Sequence, residues 1–163
     1  MAISYCENWF QAGKRPINPL SVADAQARHE ARRPYCALSG RSQAEAPTQV
    51  LSLAGAWVSV SVLDDLKREY LRYDFNERAP EKLFLKTALF RTFEGSTDEP
   101  VEATQFAFSE EGSALIERRN LRDNEVRQRR WNGDMAANWE RYPEFGEYAA
   151  LCQPERDVFT RMA

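Results

Sequence analysis

The residue types that most often perform enzymatic chemistry are sparse in this sequence of 163 residues. Its one histidine, His29, lies between Arg28 and Glu30, so a catalytic triad or a histidine-rich metal site would depend on that single imidazole. The adjacent carboxylates Asp64–Asp65 and Glu110–Glu111 could perform acid–base chemistry, but both pairs fall in predicted turns, where solvated charge is the ordinary role. We therefore predict a protein that is not an enzyme.

Motifs that bind cofactors are also missing from the sequence. It contains no Cys-x-x-Cys pair, no His-Glu-x-x-His and no glycine-rich phosphate loop. Cys6, Cys36 and Cys152 are widely spaced among apolar neighbours, which favours reduced and mostly buried thiols over a disulfide framework. We predict no metal site and no cofactor.

Arginine is concentrated between Arg118 and Arg130. A basic patch of this kind could hold phosphate groups. However, Glu117, Asp123 and Glu125 alternate with the arginines, which favours a salt-bridged and solvated surface. The net charge of -3 and the pI near 5.4 likewise argue against nucleic acid or an anionic membrane as a partner. The six arginines are Arg118, Arg119, Arg122, Arg127, Arg129 and Arg130.

The elements that carry these residues are predicted to be strands, centred on the stretch from Trp57 to Trp131. Val58, Val60 and Val62 alternate with Trp57 and the polar residues that follow it, which is the period of two of a half-buried strand. The apolar run from Leu83 to Phe93 suits a central strand covered on both faces. Turn residues recur roughly every dozen positions, so the strands should form an antiparallel meander.

Helices are predicted only at the two ends of the chain. Ser21 with Asp24 resembles a capping box, and a helix should follow from Val22 to Arg33. A short helix is expected within Gln153 to Met162, where Pro154 suits the first turn.

Together these patterns predict a single domain over residues 1–163, of mainly β (α+β) class. Residues 1–48 should form a helical and loop region that packs on the sheet, residues 50–131 the β meander, and residues 132–163 an aromatic and acidic segment. The meander is expected to be an antiparallel sheet or a partly closed barrel of about six to seven strands.

The location predicted from the sequence is cytoplasmic. No apolar run reaches the roughly 18 residues of a membrane-spanning helix. The first residues, MAISYCENWFQAGKR, lack the basic start and apolar core of a secretory signal.

The segment from Asp134 to Tyr148 is dense in aromatic and acidic residues. Aromatic side chains on a stretch with little regular structure either cap the end of a sheet or form an interface in which carboxylates fix the orientation of a partner. The sequence leaves both interpretations open. The candidate interface residues are Asp134, Trp139, Glu140, Tyr142, Glu144 and Glu147.

Three stretches resemble small cytosolic immunity proteins of bacterial polymorphic-toxin and type VI secretion systems. They are KLFLKTALFRTFEGSTD at 82–98, VEATQFAF at 101–108 and ANWERYPEFGEY at 137–148. The resemblance implies a non-catalytic protein that binds one cognate toxin and occludes its active site. Under that reading Trp139 and Tyr142 would anchor the partner, while Glu140, Glu144 and Glu147 would enter a basic channel of the toxin.

Two other classes stay open from the sequence. A closed meander could enclose an apolar ligand, which would make the protein a small-molecule-binding β-barrel. A hydrolase that works with carboxylates alone would need two of them facing one cleft, roughly 5 to 10 Å apart.

Overall fold

Eleven antiparallel strands form one open sheet in a computed structural model that describes residues 2–41 and 46–162. Two α-helices and one 3₁₀ turn accompany the strands, and no helix within these residues is long and apolar enough to cross a membrane. The strands are β1 (Ala2–Phe10), β2 (Arg15–Leu20), β3 (Tyr35–Gly40), β4 (Gln49–Ala54), β5 (Trp57–Leu63), β6 (Glu69–Ala79), β7 (Lys82–Phe93), β8 (Pro100–Ser109), β9 (Ser113–Asn120), β10 (Val126–Asn132) and β11 (Trp139–Arg141). The helices are α1 (Val22–Glu30) and α2 (Asp157–Arg161), and the 3₁₀ turn is Ala136–Asn138.

The strand order is that of a meander with two local exceptions. From β3 to β10 each strand pairs with its neighbours in the chain, whereas β1 lies between β2 and β3, and β11 pairs with β7. The strands β2 and β10 end the sheet without pairing with each other. The antiparallel meander is therefore confirmed, while the partly closed barrel is corrected to an open sheet.

The predicted number of strands, about six to seven, was too low. Residues 1–48, expected to be helix and loop, contribute β1, β2 and β3, and positions 42–45 of that region lie outside the described residues. Pro16 and Pro19 lie on β2 at the edge of the sheet. An edge strand tolerates proline because one side of its backbone has no ladder partner.

The sheet has two unlike faces. The covered face lies under α1 and the C-terminal segment, which we define as residues 133–162. Val58 and Val60 of β5 and Tyr73 of β6 point to this face and are fully buried, as the alternation of β5 predicted. The ring of Phe159 from α2 stacks on the ring of Tyr73, and the two ring centroids are 5.8 Å apart. We call the opposite side the open face.

Helix α1 begins where the sequence predicted. The Ser21 hydroxyl oxygen accepts a hydrogen bond from the backbone N–H of Asp24 at 3.0 Å, which satisfies one free donor of the first turn. Ala25 is its fully buried residue and faces the covered face. Helix α2 lies within the predicted stretch Gln153 to Met162.

The cysteines are free thiols, two of them buried, as expected. Cys6 on β1 lies directly opposite Cys36 on β3, and both belong to a small second core with Leu38, Val50 and Leu63. Interaction with the neighbouring Cys6 thiol lowers the pKa of the Cys36 thiol below its usual value.

Candidate protein-binding surface

The C-terminal segment is held on the covered face by a buried arginine. Arg156 is 8 % exposed and donates from Nη1 to Oε1 of Glu140 at 2.8 Å. Its Nη2 donates to the carbonyl oxygens of Ala150 at 3.1 Å and Leu151 at 3.0 Å, and the guanidinium lies 5.1 Å from the ring centroid of Tyr73. Glu140, a predicted partner-binding carboxylate, is therefore engaged inside the molecule.

Tyr142, one of the two predicted aromatic anchors, also lies inside. It is 4 % exposed, and the guanidinium carbon of Arg32 is 3.4 Å from its ring centroid. Burial raises the pKa of Tyr142. Since its ring packs on the covered face beside His29, Tyr142 fills the core and offers no surface to a partner.

Trp139, the other predicted anchor, lies on the open face and is 37 % exposed. It pairs with Phe84 across β11 and β7, and the ring centroids are 5.0 Å apart. Strand β8 pairs with β7 only from Thr87 onward, so β11 takes the place beside the first residues of β7. The buried amide of Asn138 donates to the Leu85 carbonyl oxygen at 3.1 Å and fixes the approach of β11.

A second exposed indole shares this face. Trp57 on β5 is opposite Asn76 on β6, and Asn76 is opposite Phe84 on β7. Paired residues point to the same side of a sheet, so Trp57, Asn76, Phe84 and Trp139 form one row, which we call the tryptophan row. It spans three strand spacings of about 4.8 Å each. Trp57 is 50 % exposed, and Phe84 lies buried between the two indoles.

The remaining predicted interface residues are not part of this row. Asp134 accepts a hydrogen bond from the backbone N–H of Ala136 at 2.9 Å and lies 3.7 Å from Arg161. Glu144 and Glu147 are exposed on the C-terminal segment, which covers the other face. The six residues predicted as one interface are thus divided between two faces.

Trp57 was not among the interface residues predicted from the sequence, although the sequence did predict its position on the polar side of the strand. The alternation of β5 places Trp57 on the side of Ser59 and Ser61, opposite the three valines. A large indole on the polar side of a strand is expected to face solvent.

A cleft of about 740 Å³ adjoins Trp139 at the tip of the β6–β7 hairpin. Lys82 on β7 lies directly opposite Arg141 on β11, next to the pair formed by Phe84 and Trp139. The residues that line the cleft are Ala79, Pro80, Glu81, Lys82, Trp139, Glu140 and Arg141.

The centre of the open face is a network of paired polar groups. The Asp74 carboxylate accepts hydrogen bonds from Ser59 at 2.6 Å, Thr87 at 3.1 Å and Arg72 at 3.0 Å. Arg91 forms an ion pair with Glu69 on the same face. These groups satisfy one another, so the exposed indoles are the features of this face that a partner could desolvate most easily.

A second cleft lies on the covered face, between the sheet and the C-terminal segment. It measures about 720 Å³, and Ile3, Ala37 and Leu51 contribute to its mostly apolar lining. Cys152 also lines it, and burial raises the pKa of this thiol to about 11, so it is uncharged at neutral pH. The Tyr148 hydroxyl, at one side of the cleft, is 3.0 Å from the Tyr35 hydroxyl.

His29 extends this hydrogen-bonded chain. Its Nδ1 is 2.9 Å from the Tyr35 hydroxyl, which in turn contacts Tyr148. Burial lowers the pKa of His29, and the neighbouring charge of Arg32 lowers it further. The Nδ1 of a neutral His29 can accept a hydrogen bond from the Tyr35 hydroxyl, so the chain links α1, the sheet and the C-terminal segment.

The arginine cluster forms a salt-bridged surface. Arg118 pairs with Glu102 at 2.9 Å, and Arg119 pairs with Glu117 at 3.1 Å. Arg122 and Arg127 pair with Glu94 and Glu125, and Arg129 donates to the Met162 carbonyl oxygen at 3.2 Å. These contacts agree with the solvated surface that the sequence favoured over a phosphate site.

Comparisons with models of protein families, with curated proteins and with solved structures found no match. Within residues 2–41 and 46–162, no group of three or more His, Cys, Asp or Glu side chains could hold a metal ion. The function is therefore inferred from the surfaces of the chain itself.

Proposed function

We propose that this chain is a non-catalytic immunity protein that binds a cognate toxin through the tryptophan row and occludes the active site of that toxin. The observation that carries the proposal is the exposure of Trp57 and Trp139 on one face, beside a polar network whose groups already bond to one another. Tryptophan is enriched at the energetic centres of protein interfaces. The resemblance of three stretches of the sequence to immunity proteins supports the same function.

Occlusion of an active site is favoured by a surface that keeps its shape on binding. The neighbouring strands and side chains hold the tryptophan row in such a fixed shape. Trp139 stands on Phe84 and on a strand paired with β7, while Trp57 belongs to a strand paired on both sides. A rigid surface avoids the entropy that a loop loses when it orders against a partner. In this proposal Trp139 keeps the anchoring role predicted from the sequence, and Trp57 takes the role that the sequence had assigned to Tyr142.

The test compares two tagged proteins as baits. Wild-type protein and a Trp57→Ala/Trp139→Ala variant are used to recover partners from the source lysate, and each recovered partner is expressed alone and with either bait. We expect a partner that stops growth alone, is neutralised by wild-type protein and is not neutralised by the variant. Phe10→Ala is the matched control, because Phe10 is an exposed aromatic residue on β1, outside the row.

Either of two results would contradict the proposal. One is the absence of any growth-inhibiting partner for the wild-type bait. The other is equal protection by the doubly substituted variant, provided that its circular dichroism spectrum matches that of wild type.

A second function, small-molecule binding, is favoured by the apolar cleft of about 720 Å³, whose size is in the range of ligand pockets. The cleft would replace the barrel interior considered from the sequence. Native mass spectrometry of freshly purified protein tests this function, because a carrier should retain a small molecule. A single unliganded mass from several expression hosts would count against it.

A further inference from the structure

The charges that line the cleft beside Trp139 are unequally neutralised. Glu81 forms an ion pair with Arg32 at 3.0 Å, on the side of α1. Glu140 points to the covered face and pairs with the buried Arg156 at 2.8 Å. Both carboxylates at the cleft are thus engaged by arginines that do not line it.

The two cations of the cleft are Lys82 and Arg141. Among the described residues, neither Lys82 nor Arg141 has a carboxylate within 4.0 Å. They are directly opposite each other on β7 and β11, where like charges repel. An anion placed between them would relieve this repulsion.

We propose that this cleft receives an acidic segment of a partner protein, with a carboxylate between Lys82 and Arg141 and an apolar neighbour against Trp139. This inference rests on the proposed function, because it names the chemistry of the partner that the tryptophan row binds. The guanidinium of Arg141 can hold a carboxylate through two parallel hydrogen bonds, and Lys82 adds a point charge.

Charge favours an acidic protein segment over nucleic acid as the occupant. Nucleic acid is held through many phosphates, and its affinity depends on the number of cations that neutralise them. Among the described residues the cleft supplies two cations that have no carboxylate partner, which is few for a chain of phosphates, and the net charge of -3 adds no positive field to hold one. Two cations beside one indole instead match one or two carboxylates beside an apolar side chain.

The experiment uses the whole protein and three defined probes. They are a synthetic peptide of alternating glutamate and leucine, the corresponding peptide of lysine and leucine, and oligothymidylate. Binding is followed by nitrogen-15 NMR at low salt, with the indole N–H signal of Trp139 assigned by its loss in Trp139→Phe. We expect the glutamate peptide to shift the Trp139 signal, and salt to weaken the interaction.

Charge-reversed variants distinguish electrostatic attraction of the peptide from nonspecific hydrophobic binding. Lys82→Glu/Arg141→Glu should weaken the glutamate peptide roughly tenfold or more, because a favourable pair becomes a repulsive one. Lys86→Glu is the control, because it reverses one exposed charge on β7 outside the cleft, which is half of the charge change in the double variant. It should change the affinity less than threefold or so, which is the scale expected of a distant exposed charge.

Several outcomes of this experiment would overturn the inference. Equal binding of the lysine peptide, undiminished binding by the charge-reversed variant, or no binding of the glutamate peptide would overturn the acidic-segment inference. Stronger binding of oligothymidylate at the same signals would overturn it in favour of nucleic acid. The co-expression test of the immunity function uses a different readout, so the two proposals can fail independently.

Discussion

The two faces of the sheet use the same residue types for opposite purposes. On the covered face, Arg156 and Glu140 are paired under the C-terminal segment, and Tyr142 is packed beneath Arg32. On the open face, Arg141 and Trp139 directly flank Glu140 in the chain but face solvent. Alternation along β11 thus decides which aromatic and charged residues build the core and which remain for a partner.

If the covered face depends on its buried ion pair, Arg156→Ala should give the largest effect. The variant leaves the largely buried Glu140 carboxylate without its partner, and we expect a loss of roughly 3–5 kcal/mol in the free energy of unfolding. Urea denaturation measures it. The double variant Arg156→Met/Glu140→Gln should lose much less, because no charge remains buried. Equal losses in both variants would show that the packing of the arginine stem, and not the pair, holds the segment.

The hydroxyl chain should contribute less than the ion pair. Tyr148→Phe removes the group that contacts the Tyr35 hydroxyl and leaves the ring in place, so the loss should be about 1 kcal/mol. Urea denaturation is again the measurement, with Tyr70→Phe, a half-exposed tyrosine on β6, as the control. An unchanged midpoint for Tyr148→Phe would remove the chain from the contacts that fasten the C-terminal segment.

His29 should make the covered face sensitive to acid. Its folded-state pKa is lowered by burial, so the unfolded chain takes up a proton near pH 6.5 while the folded protein does not. Stability should therefore be complete above this pH and decline as the pH falls towards the folded-state pKa. The difference in urea midpoint between wild type and His29→Gln, measured at about pH 7.5 and about pH 5.5, isolates this contribution. A difference that does not change with pH would contradict it.

The smallest stability effect should come from the open face. Trp57→Ala should change the free energy of unfolding by less than about 0.5 kcal/mol, the scale of surface substitutions. Leu85→Ala, a fully buried residue on the covered face, should lose roughly 2–5 kcal/mol in the same urea titration. A loss for Trp57→Ala close to that of Leu85→Ala would show that its indole is structural and would weaken its assignment to binding.

The central strands were predictable because their signals are local. Strand β5 contains the alternating valines, and strand β7 begins and ends within one residue of the predicted apolar run from Leu83 to Phe93. The prolines of β2 obscured a strand, since their tolerance depends on a position at the edge of the sheet that no local pattern reveals. Strand β11 was missed because it has three residues and gains its regularity from pairing with β7.

The candidate site was only half predictable for a related reason. The composition of residues 134–148 identified aromatic and acidic side chains, but it could not assign each one to a face. Glu140 is assigned to the covered face by its ion pair with Arg156, and Tyr142 by its contact with Arg32. Neither arginine is a neighbour of its partner in the chain. Lys82 and Arg141 become neighbours only through the pairing of β7 with β11.

The order of the elements along the chain also affects how the protein folds during its synthesis on the ribosome. Because β3 to β10 pair with their immediate neighbours, hairpins can form one after another as the chain emerges. The C-terminal segment that shields Val60 and Tyr73 is synthesised after all of those strands. Until the C-terminal segment emerges, the nascent sheet therefore has an apolar side without this cover, and exposed apolar surface of this kind favours aggregation of folding intermediates.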